Sequence, residues 1–230
     1  MTATLLILGA GPGTGRALAH TYAAEGWNVA LVARRSDPLT ALADSIRRNG
    51  GEIAAFPADI TNPHELRTVI DQVRERLGRI DAIAFTAASD DGFVPAADLT
   101  SEQARTFADL FLYPLITTVQ LTLADLRGSE HGAIFYVNGA SALGAPAGMS
   151  GPAPAMAAAR NYLATLRDEL AGDVFVGATF VAAMIEGSAA ADAAAEWNAD
   201  GSFPSIDAAQ IAGSIWDRHQ HGGAFETLLP

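Results

Sequence analysis

The sequence predicts an α/β domain, a doubly wound parallel sheet with helices on both faces. Two observations predict it. Short apolar runs of strand length alternate with segments of helical spacing from one end of the chain to the other. Strictly alternating units of this kind leave the strands parallel and both sheet faces covered. The first apolar run, Leu5 to Leu8, also breaks at Gly9 into a glycine-rich turn and resumes as a helix, the stretch from Thr4 to Arg16 reading TLLILGAGPGTGR.

The elements follow in order. A first helix is expected over about Gly13 to Glu25, a second strand over Asn28 to Ala33, and a helix from Pro38 to Asn49 spaced through Leu39, Leu42 and Ile46. Glu52 to Pro57 reads as strand three. Asn62-Pro63 is a helix start, with proline at the first helical position, and that helix runs through Leu66, Val69, Ile70, Val73 and Leu77 to Gly78. Asp81 to Thr86 is strand four, and Ser101 to Leu126 a long helix bent at Pro114. Gly132 to Asn138, a helix over Pro152 to Ala171, and Asp173 to Val181 come next. A variable stretch from Ala182 to Pro204, with a small helix over Ala189 to Ala195, is expected to lie over the site as a lid. A helix from Ile206 to His219 and a strand from Ala224 to Leu228 complete about seven strands.

The length of 230 residues suits one domain, with a nucleotide-binding half over 1–90 and a substrate-side half over 91–230. No apolar run approaches the ~20 residues that span a bilayer, and the first residues lack a signal-peptide pattern. There are no cysteines, and a soluble, cytoplasmic protein is the expectation. A formal charge of −12 argues against nucleic acid or an anionic membrane as partner. His20, His64, His131, His219 and His221 lack metal-ligand spacing, so no metal is expected.

The glycine turn carries the chemistry. Glycine lets the backbone approach a ligand closely, and the first-turn N–H groups of the following helix favour an anion such as a pyrophosphate. The general fingerprint G-x-G-x-x-G fails, because counting from Gly9 puts Thr14 last. The pattern that fits is G-x-x-x-G-x-G, through Gly9, Gly13 and Gly15. In dinucleotide folds an acid after strand two selects NAD and an arginine accommodates the extra phosphate of NADP. Strand two here ends LVARR, with Ala33 where the acid would stand and then Arg34 and Arg35. NADP(H) is the expected cofactor, and NAD(H) the less favoured one.

The spacing of Gly9, Gly13 and Gly15 resembles the short-chain dehydrogenase/reductase family, and the likeness continues along nearly the whole chain. The resemblance implies a Rossmann-like fold in which Gly9, Gly11, Pro12, Gly13, Thr14 and Gly15 line the cofactor. It implies that Asp59, with Ile60, lies against the adenine. Where the family carries N-N-A-G after strand four, this chain reads Phe85-Thr86-Ala87-Ala88, and Ala87 and Ala88 keep room for the ribose.

The resemblance also implies a catalytic tyrosine, a lysine four residues later, a serine and an asparagine. Laying AAARNYLATLRDEL (Ala157 to Leu170) on the family pattern puts Pro152 at the tyrosine and Met156 at the lysine. Gly139, thirteen residues before Pro152, falls at the serine and Phe111 at the asparagine. No shift restores the motif, since Tyr22, Tyr113, Tyr136 and Tyr162 are followed four residues on by Gly26, Thr117, Ala140 and Leu166. The family's P-G after strand six is also replaced, by Val181-Ala182-Ala183-Met184. Asn138, Ser141, Ser150, Tyr113 and Glu186 are the polar residues nearby, with Ser141 the foremost candidate to bind a substrate oxygen.

Three functions are compatible with this pattern: an NADP-dependent oxidoreductase with an unusual proton donor or water, an NADP-binding sensor or inactive oligomer partner, and a redox-neutral dehydratase, cyclase or isomerase. The resemblance further implies a homodimer or homotetramer packed through the helices Ser101 to Leu126 and Pro152 to Ala171. The face Ala155, Ala159, Leu163, Leu166 and Leu170 either meets a partner or covers the chain's own sheet. The terminal segment GGAFETLLP would be a strand able to add to a partner.

Overall fold

The computed structural model describes residues 2–47, 52–89, 91–194, 198 and 202–230. Its centre is β1 (Thr4–Leu8), buried at every position. A parallel strand covered on both faces is apolar on both, and TLLIL has that composition. Around it lie β2 (Asn28–Ala33), β3 (Ile53–Pro57), β4 (Ala82–Phe85), β5 (Ala133–Gly139), β6 (Phe175–Val181) and a late strand, β9 (Glu226–Leu229). All pairings in this seven-stranded sheet are parallel, in the order β3-β2-β1-β4-β5-β6-β9. The order reverses between β1 and β4, so the carboxyl ends of these two strands open the ligand crevice.

Helices α1 (Thr14–Ala24), α2 (Ser36–Arg47) and α8 (Ala208–His221) cover one face, with Leu18, Tyr22, Leu39, Ile46, Ile211 and Ile215 packed on Leu5 and Ile7. On the other, α3 (Pro63–Leu77), α4 (Ser101–Phe111), α5 (Tyr113–Arg127) and α6 (Ala153–Glu169) pack on Leu6 and Leu8. The α3 start behaves as its sequence predicts: Asn62 Oδ1 accepts from the His64 and Glu65 amides ahead of Pro63, and Gly78 ends the helix with φ 86°.

Several boundaries differ from those read in the sequence. Helix α2 begins at Ser36, two residues before Pro38, and Arg48 and Asn49 lie outside the described residues. The predicted long helix is two helices, broken at Leu112 (φ −112°, ψ −59°). Pro114 has no N–H for the Leu110 carbonyl, and the bend forms just before it. Ser101–Arg127 as a whole is long and apolar enough to cross a membrane by length and composition, which corrects the expectation that no such run exists. In this fold Phe107, Phe111, Leu115, Val119 and Leu126 bury its inner face against the sheet.

The α6 face Ala155, Ala159, Leu163, Leu166 and Leu170 is buried in the chain's own core, so of its two readings the sheet-covering one holds. Beyond β6, a two-stranded parallel pair, β7 (Met184–Ile185) with β8 (Ser205–Ile206), joins the two ends of the 182–204 stretch. The Ser205 hydroxyl donates to Glu186 at 2.8 Å across the same junction. The small helix α7 spans Ala189–Ala194, and Ala195 lies outside the described residues.

Two polar clusters hold the amino ends of the strands. Asp81, 3% exposed, accepts from the Thr4 amide (2.9 Å), the Ser129 hydroxyl (2.7 Å) and Arg79 Nε (3.0 Å). Between α1 and α8, His219 Nε2 donates to the His131 carbonyl (2.9 Å), which fixes the tautomer and leaves Nδ1 to accept from the Tyr22 hydroxyl (2.9 Å). Burial lowers the His219 pKa below its ordinary value, with the neighbouring His131 ring acting in the same direction and the bond to the His131 carbonyl opposing.

Candidate active site

The glycine turn sits at the carboxyl end of β1, and each glycine has its own geometric reason. Gly9 adopts φ 84°, and a Cβ there would lie 2.5 Å from the Ala87 Cα. A Cβ on Gly15 would lie 2.8 Å from the Ala10 Cα, so α1 leaves the turn in direct contact with its backbone. Gly13 is the last residue before α1, and a Cβ on it would meet Ser188 Cβ at 3.1 Å and Ile185 Cγ2 at 3.3 Å. The stretch after β6 therefore closes on the turn, with Arg16 Nη2 against Gly187 from the other side.

Thr14, the first residue of α1, has a buried hydroxyl oxygen with no hydrogen-bond partner. The Arg16 amide donates to the Gly11 carbonyl (3.0 Å), and the orphaned Thr14 hydroxyl at the amino end of α1 fits a ligand with acceptor oxygens. The rest of the predicted nucleotide set stands past the carboxyl ends of β2, β3 and β4. Thr86 binds the Leu8 carbonyl through its amide (2.8 Å) and the Gly9 carbonyl through its hydroxyl (3.0 Å), locking the end of β4 to the turn. Ala87 is buried and Ala88 exposed. Arg34 and Arg35 are exposed just past the end of β2. Asp59 Oδ1 accepts from the amide (2.9 Å) and hydroxyl (2.8 Å) of Thr61, which holds the end of β3 in a tight turn with Ile60 buried.

On the substrate side, Phe111 and Met156 are buried in the core, and Pro152 opens α6. Gly139 ends β5. A single 3-10 turn, Ala140–Ala142, follows it and carries Ser141 back, so that its hydroxyl oxygen lies 3.5 Å from where a Cβ on Gly139 would be. That oxygen is buried and has no partner. Asn138 is already engaged: its Nδ2 donates to the Tyr136 hydroxyl (3.0 Å) and its Oδ1 accepts from the Gly139 amide (2.9 Å). Tyr136 is fully buried between Phe85 and Phe180, and burial raises its phenol pKa well above the ordinary range against the lowering effect of Asn138.

The loops after β4 and β5 meet over this region. The Ser150 amide donates to the Val94 carbonyl (2.9 Å), and Gly151, at φ 43°, passes so close to Phe93 that a Cβ would lie 3.1 Å from its Cα. Tyr113 and Glu186 are exposed, and Glu186 is held by Ser205. Sequence reading missed Ile185 and Ser188, which touch the turn only through the fold. The one local signal for Ser188 was a serine before an alanine run, and its hydroxyl does accept from the Ala191 amide (3.1 Å) at the start of α7.

The reversal between β1 and β4, the glycine turn and the orphaned Thr14 hydroxyl define a dinucleotide-fold α/β domain. The family model for short chain dehydrogenases matches residues 3–199, and the chain belongs to that family, one of oxidoreductases. The 11-beta-hydroxysteroid dehydrogenase 1A of Arabidopsis thaliana is 31% identical over 175 residues, 75% of this chain and 49% of the relative. The 11-beta-hydroxysteroid dehydrogenase-like 2 of the same plant is 28% identical over 74% of this chain and 55% of its own length. The chain thus spans about half the length of these curated relatives. The L-sorbose reductase of Gluconobacter frateurii, solved with NADPH and L-sorbose, superposes with a TM-score of 0.87 at 18% identity, over 100% of this chain and 95% of that one. A 7α-hydroxysteroid dehydrogenase solved with NADH and 7-oxo glycochenodeoxycholic acid gives 0.86 at 20% identity, over 99% and 91%. At these identities the likeness concerns the fold, and the two neighbours hold different nicotinamide nucleotides.

Proposed function

We propose that this chain is an NADP(H)-dependent short-chain reductase with a non-standard active site, acting on activated carbonyl or imine carbons. The observation that carries the reading is the Ser141 hydroxyl, buried and without a partner beside Gly139, where the family resemblance calls for an oxygen-binding serine. Gly9, Gly11, Pro12, Gly13, Thr14 and Gly15 would hold the pyrophosphate, and Arg34 with Arg35 the adenosine phosphate. Asp59 and Ile60 would flank the adenine, and Ala87 and Ala88 leave room for the ribose. A nicotinamide nucleotide held by these residues would supply a hydride. The Ser141 hydroxyl donates a hydrogen bond to the carbonyl oxygen or imine nitrogen and fixes the position of the reacting carbon. The chain contains no lysine, so no tyrosine–lysine pair assists, and the proton that completes the product comes from water. Loss of a general acid costs about 10²–10⁴ in rate, which favours activated substrates.

The missing lysine also favours a second reading, in which the protein binds NADP as a sensor or inactive oligomer partner, or catalyses a redox-neutral reaction. A homodimer or homotetramer through the exposed sides of α4, α5 and α6, and a cytoplasmic location, belong to the same proposal. Calorimetric titration with NADPH, NADP and NADH, followed by NADPH absorbance with carbonyl and imine substrates, is the test. Phosphate-dependent binding with turnover supports the reductase, and binding without turnover supports the sensor. Absence of nucleotide binding removes the reductase and the NADP sensor and leaves a redox-neutral reaction or a protein partner.

A further inference from the structure

We infer that the substrate side of the site is built for a neutral, largely apolar compound carrying a single oxygen function, with Phe93 and Leu143 as the side chains that select it. The inference rests on the proposed location of the site and names the substrate class for it. Three independent observations carry it.

The first is apolar exposure. Phe93, on the loop after β4, is 48% exposed, and Leu143, two residues after Ser141, is 41% exposed. Among the described residues the exposed large apolar side chains are Phe93, Tyr113, Leu143 and Leu228, and Phe93 and Leu143 stand on the loops that leave the carboxyl ends of adjacent, paired strands. The Phe93 loop is fixed there by the Val94–Ser150 hydrogen bond and the close passage of Gly151. Leu143 is fixed by its amide bond to the Ala140 carbonyl at 2.9 Å. Apolar groups held in the open on a ligand-facing rim mark a binding surface.

The second is charge. No arginine occurs from Gly128 to Ala159 or from Asp168 to Asp217, and the chain has no lysine. The loop after β5 and the stretch after β6 therefore offer no cation to a carboxylate or phosphate, while Asp91 and Glu186 stand on the neighbouring segments. An anionic substrate would meet repulsion from these carboxylates, and the guanidinium that touches the stretch after β6, Arg16 against Gly187, reaches it from the glycine-turn helix.

The third is hydrogen-bonding capacity. A polyhydroxylated substrate leaves the water with many donors and acceptors to satisfy. At the end of β5 both functional atoms of the Asn138 amide are engaged, with Tyr136 and with the Gly139 amide. Among the buried side-chain atoms of the described residues, the Ser141 hydroxyl is the one at this strand end without a partner. One such hydroxyl serves one substrate oxygen, and the rest of the molecule must pack.

The test reads ligand binding, separately from turnover. Nile red, a neutral apolar dye, is bound to the full chain and displaced by a neutral bicyclic ketone, by a 2-keto acid of equal carbon number, or by a ketohexose. The neutral ketone is expected to displace the dye at concentrations at least about tenfold lower than the other two. Phe93→Asp and Leu143→Asp each weaken the ketone by about tenfold, with the thermal midpoint unchanged because both positions are exposed. Equal or better displacement by the keto acid or the sugar overturns the inference, as does ketone displacement unaffected by either substitution. A parallel NADPH titration separates this result from the reductase reading. Nucleotide binding without ketone selectivity overturns the substrate class alone, whereas ketone selectivity without nucleotide binding leaves the class standing and overturns the reductase.

Discussion

The Ser141 hydroxyl oxygen stands 3.5 Å from the point at which a side chain on Gly139 would begin, buried and unpaired. A substrate oxygen held there would be fixed by one hydrogen bond. Ser141→Ala is therefore expected to lower kcat/KM for NADPH-dependent reduction by about 10- to 100-fold, the range for losing one well-placed hydroxyl bond in the transition state. Affinity for NADPH itself should stay unchanged in calorimetry. A loss confined to nucleotide binding would move Ser141 out of the substrate site.

Arg34 gives the nucleotide preference its handle. Replacing it by alanine is expected to raise the dissociation constant for NADPH by about tenfold or more, with little change for NADH, since a charge-assisted bond to a phosphate contributes roughly 1.5–3 kcal/mol. Equal losses for both nucleotides in parallel titrations would reject the assignment.

Gly9 is constrained twice, by a left-handed φ of 84° and by the Ala87 backbone 2.5 Å from any Cβ. Gly9→Ala combines an unfavourable conformation, about 1–2 kcal/mol, with a clash against main chain that cannot swing away. The urea midpoint should fall markedly and nucleotide affinity with it. Gly11→Ala is the control for stability alone, because a Cβ there meets only the Gly9 carbonyl at 3.9 Å.

Asp81 is the buried acceptor for three donors at the amino ends of β1 and β4. Asp81→Ala leaves the Thr4 amide and the Ser129 hydroxyl without their partner, and is expected to destabilise the fold by about 3 kcal/mol in equilibrium denaturation. Arg79→Ala should cost much less, because its side chain is half exposed.

His219 makes stability depend on pH. Its folded pKa is lowered from 6.5 by burial, so the unfolded chain binds more protons in the acid range. Stability contributed by the neutral ring is present above about pH 6.5 and is lost as the pH falls below it. The thermal midpoint should drop between pH 7 and 5, and His219→Gln should flatten that part of the profile. An unchanged slope in the variant would assign the acid sensitivity to other groups.

Much of the fold could be read from the chain because its signals are local. The apolar run of β1, the glycine turn, the Asn62-Pro63 start and the Arg34-Arg35 pair each depend on neighbouring residues alone. The site was less legible where geometry departs from residue counting. Thirteen positions back from Pro152 lands on Gly139, yet the 3-10 turn returns Ser141 to that neighbourhood. The contact of Ile185 and Ser188 with Gly13 joins segments far apart in sequence, and no periodicity marks it. Strands of two residues, such as β7 and β8, are too short to show an alternation. The α6 stripe Ala155 to Leu170 was ambiguous because an apolar helix face looks the same whether a partner or the chain's own sheet lies beneath it.

The β7–β8 pairing gives the 182–204 stretch two fixed feet on the sheet side, reinforced by Ser205 and Glu186. Closing a longer loop between anchored ends adds only about 0.6 kcal/mol per doubling of its length. The intervening segment is thus an exchangeable cassette: grafting a different sequence between these feet could retune what the crevice admits while the parallel sheet and its glycine turn go on folding as before.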